Sequence, residues 1–470
     1  MFRKLKISVF IVLVLLATAL AYAQDKAPRY IFMFIGDGMG VAQRQIAELQ
    51  LNSKPGVAAT HQATRLKMNS LKILGMNTTY DSTSIVPDSA STATSLASGY
   101  KTLSGVIGLK EDKATKVSLI SEHLKKNGLS IGIISDVKIV HATPAAFYSH
   151  IDSRNKYDEI ASQLINSDFD LFVGGGGDQH FNPLKRKDGQ DLYAEAKTKG
   201  FAVATSRDQF LSLKNGTKVL ANLPGDVNSE ALPYVMDRTQ GDLNLDEIVS
   251  KSIDLLSANP KGFFMVVEGG KIDWACHAND TGAAIVNMLD LDKAIGVALA
   301  FKEKNPDTLI IVTGDHECGG LGLSMGNTYR VNPELFFSQK ISHEIVDERV
   351  KSLSEKKELT HEAVFKLAEE FGLISLSEAE KTAIVNSIAD EQLADKNRIK
   401  TLYGGYRPVS MVFKRLFNTR ANLYWTSYSH TGIPVMLTAE GMGAEKFAGY
   451  IDNTDVCKIL SRVTRAGMKW

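Results

Sequence analysis

An acid and a hydroxyl stand side by side in "VPDSASTATSLASG" (86–99), followed by small residues. Asp88 and Ser89 close an irregular stretch. Ala90–Ser98 then reads as a short helix, with Gly99 as its C-terminal stop. Such a pair is a good N-cap, because its oxygens accept the first free backbone N–H groups. The same placement suits a nucleophile. A helix N-terminus favours an anion, and small neighbours leave room for a tetrahedral group above the hydroxyl. The company Ser89 keeps separates the two readings.

Further polar groups recur where apolar runs end. Asp37 lies in "IGDGMG", His141 and Thr143 in "HATPAA", and Glu268, Asp273 and His277 in "VEGGKIDWACH". Asp315 and His316 lie in "TGDHE", and His430 opens "HTG". Asp273 and His277 are four apart, hence on one face if that turn is helical. Imidazole with carboxylate suits Zn²⁺, and carboxylate with hydroxyl and water suits Mg²⁺. With divalent ions beside it, the Ser89 hydroxyl becomes available as an alkoxide. The chain has three cysteines, Cys276, Cys318 and Cys457, too few for a disulfide scaffold. Buried packing is their expected role. One bridge would leave one thiol over, and Cys276 and Cys318 sit beside donor motifs as alternative ligands.

The elements that must position these groups are strands. The runs at 30–38, 131–137, 170–177, 263–270, 308–316 and 433–441 are rich in Ile, Val and Phe without clean alternation. That pattern predicts strands buried on both faces of a parallel sheet. Helical spacing marks 119–128 and 283–305 between them. The fold class is therefore α/β, a mainly parallel central sheet flanked by helices. Ligands of such sheets bind beyond the carboxyl ends of the strands, where the polar residues above accumulate. Residues 322–422 are charged and break the rhythm, so they predict a largely helical insertion before the last sheet segment. "GGGG" at 174–177 lacks the Lys and Ser/Thr of a phosphate loop and reads as a tight turn.

The chain has 470 residues, 44% hydrophobic and 23% charged, with a formal charge of +1. That balance implies a sizeable core and gives no global attraction to nucleic acid or an anionic membrane. "MFRKLK", a fifteen-residue apolar run and "AYA" read as a signal peptide over 1–23, which predicts export to a periplasmic or extracellular space. No other segment has the apolar length of a membrane span.

Taken together, "IGDGMG", "PDSASTATSLASG", "ATPAA" with Arg154 downstream, "VEGGKIDWACH", "TGDHE" and "HTG" resemble the alkaline phosphatase family, in the family's order. The resemblance runs from about Tyr30 to the C-terminus and implies a catalytic domain over 24–321 and 423–470, interrupted by 322–422. It implies two zinc ions, one held by Asp273, His277 and His430 and one by Asp37, Asp315 and His316 beside the Ser89 nucleophile. It implies a magnesium-type third site with Asp37, Thr143 and Glu268, and an Arg154 clamp on the phosphoryl oxygens next to Asp88. His141 and Trp274 stand where members vary, which bears on the identity of the third metal. The implied reaction is hydrolysis of small phosphate monoesters through a phosphoserine, with broad range and an alkaline optimum, in a homodimer. Phosphodiesters or sulfate esters are the enzymatic alternatives. Arg154 and the three-metal set favour monoesters, and no cysteine occupies a sulfatase-type motif. A binding protein without turnover is the alternative of another class, which release of phosphate from a chromogenic monoester separates.

Overall fold

Strand β1 (Tyr30–Gly36) is buried at every position, and its two faces feed two cores. Tyr30, Phe32 and Phe34 join one apolar cluster, whereas Ile31, Met33 and Ile35 join another. Strands β7 (Phe263–Gly269) and β8 (Thr308–Gly314) divide in the same way. Apolar side chains on both faces explain why the runs do not alternate in polarity. The computed structural model describes residues 26–57, 63–228 and 230–470. The predicted signal peptide lies outside them.

The remaining strands are β2 (Ile73–Asn77), β3 (Ser130–Ser135), β4 (Leu171–Gly174), β5 (Ala202–Ala204), β6 (Val219–Asn222), β9 (Glu317–Cys318), β10 (Leu321–Leu323), β11 (Leu423–Trp425), β12 (His430–Thr431), β13 (Val435–Gly441) and β14 (Gly449–Ile451). Ten form the central sheet, in the order β14-β2-β13-β8-β1-β7-β3-β4-β6-β5. It is mostly parallel, with β13 antiparallel to both β8 and β2. Most of the predicted runs leave the ladder before their polar residues: β1 stops at Gly36, β3 at Ser135 and β8 at Gly314. Those residues turn away from the sheet and become available for chemistry. Gly176 and Gly177 follow β4 with φ of 87° and 69°, the turn that a glycine run permits. The strands β2, β5, β6 and β14 carry little periodic signal in the sequence, because each is only three to five residues long.

Helix α1 (Ser89–Ser98) covers the cluster that holds Ile31 and Met33, through Ala90, Ala93, Leu96 and Ala97. Helices α2 (Lys271–His277) and α3 (Thr281–Lys304) cover the other face. Between β10 and β11 come helices α4 (His343–Glu355), α5 (His361–Phe371), α6 (Glu378–Leu393), α7 (Lys396–Tyr403) and α8 (Pro408–Ala421). Ser342, Thr360, Ser377 and Asp395 cap four of them by accepting backbone N–H groups. These helices share a third apolar cluster, which includes Val346, Leu367, Phe371, Ile388, Phe413 and Phe417. At the neck of this excursion β10 and β11 pair antiparallel, Leu321 opposite Trp425 and Leu323 opposite Leu423. Among the described residues no helix is long and apolar enough to cross a membrane.

Candidate active site

The sheet register brings the ends of three strands level. Gly36 pairs with Gly269 on one side and with Gly314 on the other. Asp37 and Asp315 therefore leave the same edge, and Glu268 lies one residue below it, between Ile35 and Ser135. His430 arrives from the opposite direction. Because β13 is antiparallel, its N-terminal end lies at the carboxyl edge of β8. The β12–β9 pair then sets His430 opposite Cys318 and Thr431 opposite Glu317.

Three clusters of donor atoms form there. In the first, Nε2 of His277 lies 3.2 Å from Asp273 Oδ2 and 3.0 Å from His430 Nε2, and His430 Nε2 lies 3.5 Å from Asp273 Oδ1. The turn carrying Asp273 and His277 is helical, which puts both on one face of α2. Cys318 Sγ belongs to this cluster, in which all four donors lie within 4.8 Å of one another. In the second, His316 Nε2 lies 3.3 Å from Asp37 Oδ1 and 3.2 Å from Asp315 Oδ2. The third joins Asp37 to His141 and Glu268. Thr143 reaches it by donating to Asp37 Oδ2 at 3.3 Å. Asp37 is common to the second and third.

The imidazoles are held in one orientation. His277 Nδ1 donates to the Tyr428 carbonyl at 2.7 Å, and His430 Nδ1 donates to the Pro87 carbonyl at 2.8 Å. A carbonyl only accepts, so each Nδ1 carries a proton and the two Nε2 atoms face each other. Against the effect of burial, Asp273 pushes His277 up to about 9, so positive charge is drawn to the place where these nitrogens meet.

The carboxylates make the same demand. Burial, reinforced by Asp315, Asp273 and Glu268, raises Asp37 well above the usual carboxylate range. Burial and then Asp273 push Asp315 up to about 7, and burial pushes Glu268 up to about 8. Burial also opposes ionisation of Asp273, yet His277 and His430 hold it well below its ordinary value. Oδ1 of Asp37, Oε1 of Glu268, Oδ1 of Asp273 and Nδ1 of both His141 and His316 are buried without a hydrogen-bond partner. Buried polar atoms in native proteins are nearly always partnered. So many orphans in one pocket, chiefly oxygen and imidazole nitrogen, fit divalent cations.

Ser89 opens α1 beside these clusters, its Oγ 3.2 Å from His316 Nε2. Asp88 is the N-cap and accepts from the Ser91 N–H at 3.0 Å. Its other oxygen takes Arg154 Nη1 at 2.9 Å, while Arg154 Nη2 meets His141 Nε2 at 3.0 Å. Asp88 thus both starts α1 and anchors the arginine. The His141 and Trp274 rings meet edge-on at 6.1 Å.

Several positioning groups escaped sequence reasoning. Thr92, one turn after Ser89, donates to Asp315 Oδ2 at 3.3 Å. Ser135, the last residue of β3, donates to Glu268. Glu317 accepts from Gln43, from the Gly320 N–H and from Thr431, and so ties the turn after β8 to β12. Their polar type was the available signal, and their partners are far away in the chain. Gly38, at φ 69°, allows the closest approach: a Cβ there would lie 2.8 Å from Asp273 Oδ1 and 2.9 Å from Cys318 Cβ.

A serine hydroxyl at a helix N-terminus, an arginine beside it and a sheet edge crowded with imidazole and carboxylate donors fit metal-dependent phosphoester hydrolysis on an α/β fold. The known proteins resolve that class further. The family model "Alkaline phosphatase" matches residues 28–466, and the chain belongs to the alkaline phosphatase family. It is 32% identical to alkaline phosphatase 4 of Bacillus subtilis over 96% of this chain and 92% of that protein. The crystal structure of Thermus thermophilus alkaline phosphatase superposes with a TM-score of 0.82 at 27% identity, covering 95% of this chain and 93% of the other. A variant of the alkaline phosphatase from the Antarctic bacterium TAB5, with Mg bound in its M3 site, superposes with a TM-score of 0.65 at 26% identity, covering 94% and 99%. The protein is a phosphoric monoester hydrolase.

Proposed function

We propose that Ser89 is the nucleophile of a two-step displacement on small phosphate monoesters. The observation that carries this reading is the position of Ser89 Oγ, 3.2 Å from His316 Nε2 on a helix capped by the residue that anchors Arg154. Asp273, His277 and His430 would hold one zinc, and Asp37, Asp315 and His316 the second. Asp37, Thr143 and Glu268 would hold magnesium, with His141 and Trp274 beside them. Bound there, the ions would lower the pKa of the serine hydroxyl and offset charge on the phosphoryl oxygens.

The chain's own groups do the rest. Ser89 Oγ gives up its proton and attacks phosphorus, the bond to the ester oxygen breaks, that oxygen takes up a proton and leaves as the free alcohol, and a phosphoserine forms. The Arg154 guanidinium bonds two non-bridging oxygens at once, a match to the dianion of a monoester. The positive end of the α1 dipole would favour the same anion. Water then attacks phosphorus, and the Ser89 oxygen leaves and regains its proton. Residues 24–321 with 423–470 form the catalytic domain and 322–422 a helical insertion. The chain is exported after cleavage near Ala23 and works as a homodimer.

Ser89→Ala tests the reading. It should abolish acid-stable incorporation of phosphate and lower kcat by at least about 10³, since water alone lacks a positioned nucleophile. Wild-type turnover by a zinc-loaded Ser89→Ala protein would overturn it.

A further inference from the structure

Resting on the assignment of His277 to the first zinc, we infer that Tyr428 is a positioning residue, through which the helical excursion sets where His277 points. The main chain and the side chain of Tyr428 face different ways. Its carbonyl accepts the His277 Nδ1 proton at 2.7 Å. Its side chain packs against the third apolar cluster, the one that the excursion builds for itself. One residue therefore joins a donor imidazole to helices that supply no donor to the three clusters.

The grip on the Tyr428 side chain has several parts. Arg415 of α8 donates from Nη2 to the Tyr428 hydroxyl at 2.7 Å and to the Leu402 carbonyl at 2.5 Å, so one guanidinium spans α7 and the loop ahead of β12. The Tyr406 and Tyr428 rings lie 5.9 Å apart. Gly404 comes so close that a Cβ there would lie 2.5 Å from Tyr428 Cδ2, and its φ of 66° is one that glycine adopts freely. A second link runs beside the first. Asn418, also of α8, donates to the Asn279 carbonyl at 3.0 Å, and the Asn279 side chain donates to the Ser427 carbonyl at 2.9 Å. Thr426 and Ser429 are exposed, so the loop has little burial of its own to hold it.

The consequence is geometric. His277 ends α2 and its side chain is 30% exposed, so packing alone does not fix the ring. The bond at Nδ1 does, and outer bonds of this kind set the direction of a metal-binding imidazole. If the carbonyl drifts, Nε2 turns away from Asp273 and His430. Neither Arg415 nor the Tyr428 side chain belongs to the donor clusters, so both act only through His277.

Zinc retention by the zinc-loaded full chain, titrated with a chelator of known affinity, tests the inference without reading activity. Tyr428→Ala keeps the carbonyl but removes the grip. It should weaken one zinc by about 10–100-fold, the cost of losing an outer partner, and leave the other unchanged. His277→Ala should weaken the same zinc and so identifies it. Arg415→Met and Tyr428→Phe delete one hydrogen bond from its two ends. Each should weaken that zinc by a smaller factor, and the two together no more than Arg415→Met alone. Arg420→Ala breaks a different contact of α8, its 2.7 Å ion pair with Glu380, and should retain zinc like wild type. Unchanged retention in Tyr428→Ala, equal loosening of both zinc ions, or an equal loss in Arg420→Ala would overturn the inference, because each is what plain packing predicts. If Tyr428→Ala does not fold, Arg415→Met decides, since Arg415 is exposed; wild-type retention there would overturn the inference as well. Failure of the broader reading looks different: His277→Ala would then hold both zinc ions as tightly as wild type, and the inference would fall with it.

Discussion

Helix α2 carries two buried charge clusters two residues apart, and they are built in opposite ways. At Lys271, Nζ lies 2.8 Å from Asp226 Oδ2 and 3.0 Å from Glu344 Oε1, and 3.8 Å above the Tyr234 ring. Every charge there meets an opposite charge from the chain itself, and Glu344 comes from α4, so the contact ties the helical excursion to the sheet domain. At Asp273 the chain supplies His277 and His430 to one acid but gathers Asp37, Asp315 and Glu268 nearby as well, and leaves oxygens of three of these four acids without hydrogen bonds. A buried charge that finds its partner within the fold is scaffold. One that does not is a site for something the fold lacks.

Substitutions can break this comparison. The largest effect is expected at Asp37, which two clusters share. Asp37→Asn should lower kcat of the metal-loaded protein by at least about 10³, in line with loss of a preorganised charge next to the reacting group. The same change should stabilise the metal-free protein. A carboxyl raised by burial and like charges destabilises the fold at every pH above its unfolded value, and Asn removes that penalty, at least about 1 kcal/mol for each pKa unit. Denaturant unfolding after exhaustive chelation reads the sign, and a less stable metal-free Asp37→Asn would mean that the cluster is balanced after all.

Lys271→Met should do the reverse. Two carboxylates lose their cation, so stability should fall by about 3–5 kcal/mol whether or not metal is bound. Unfolding curves of the loaded and metal-free proteins should shift alike; a shift confined to the loaded form would place Lys271 in the metal machinery.

Arg154 belongs to both designs, paired with Asp88 yet open to a ligand. Arg154→Ala should cut monoester kcat/KM by about 10–10³ and the methyl diester's by much less, because a diester offers only one charged oxygen to the fork. Parallel kinetics on one aryl alcohol's monoester and diester measure the difference, and equal losses would remove Arg154 from substrate selection.

The smallest effect separates the helical excursion from the site. Lys414 of α8 is buried, its Nζ has no hydrogen-bond partner, and burial pushes it down to about 8. A lysine lowered in the fold costs stability below its folded pKa, and the cost fades as pH rises toward the unfolded value. Relative to Lys414→Met, wild type should gain about 2 kcal/mol between about pH 7 and about pH 9.5. Chemical denaturation of both proteins across that range checks it, and a flat difference would show that Lys414 has found a partner.

Much of this molecule was legible before folding. Apolar runs without clean alternation announced the sheet, Asp-Ser followed by small residues announced α1, and the charged stretch that breaks the strand rhythm announced the helices after β10. The donor types were equally plain, because imidazole, carboxylate and hydroxyl are local properties of a residue. Which donors share an ion is not local. The level ends of β1, β7 and β8 and the reversed direction of β13 make those groups, and strand direction depends on pairings between segments more than a hundred residues apart. Cys318 shows the limit most clearly. In the sequence it is a cysteine two residues past a histidine, and only the β9–β12 pairing sets it against His430. Composition and periodicity determine what each segment buries, whereas the proximity of distant segments is a tertiary property that no single stretch encodes.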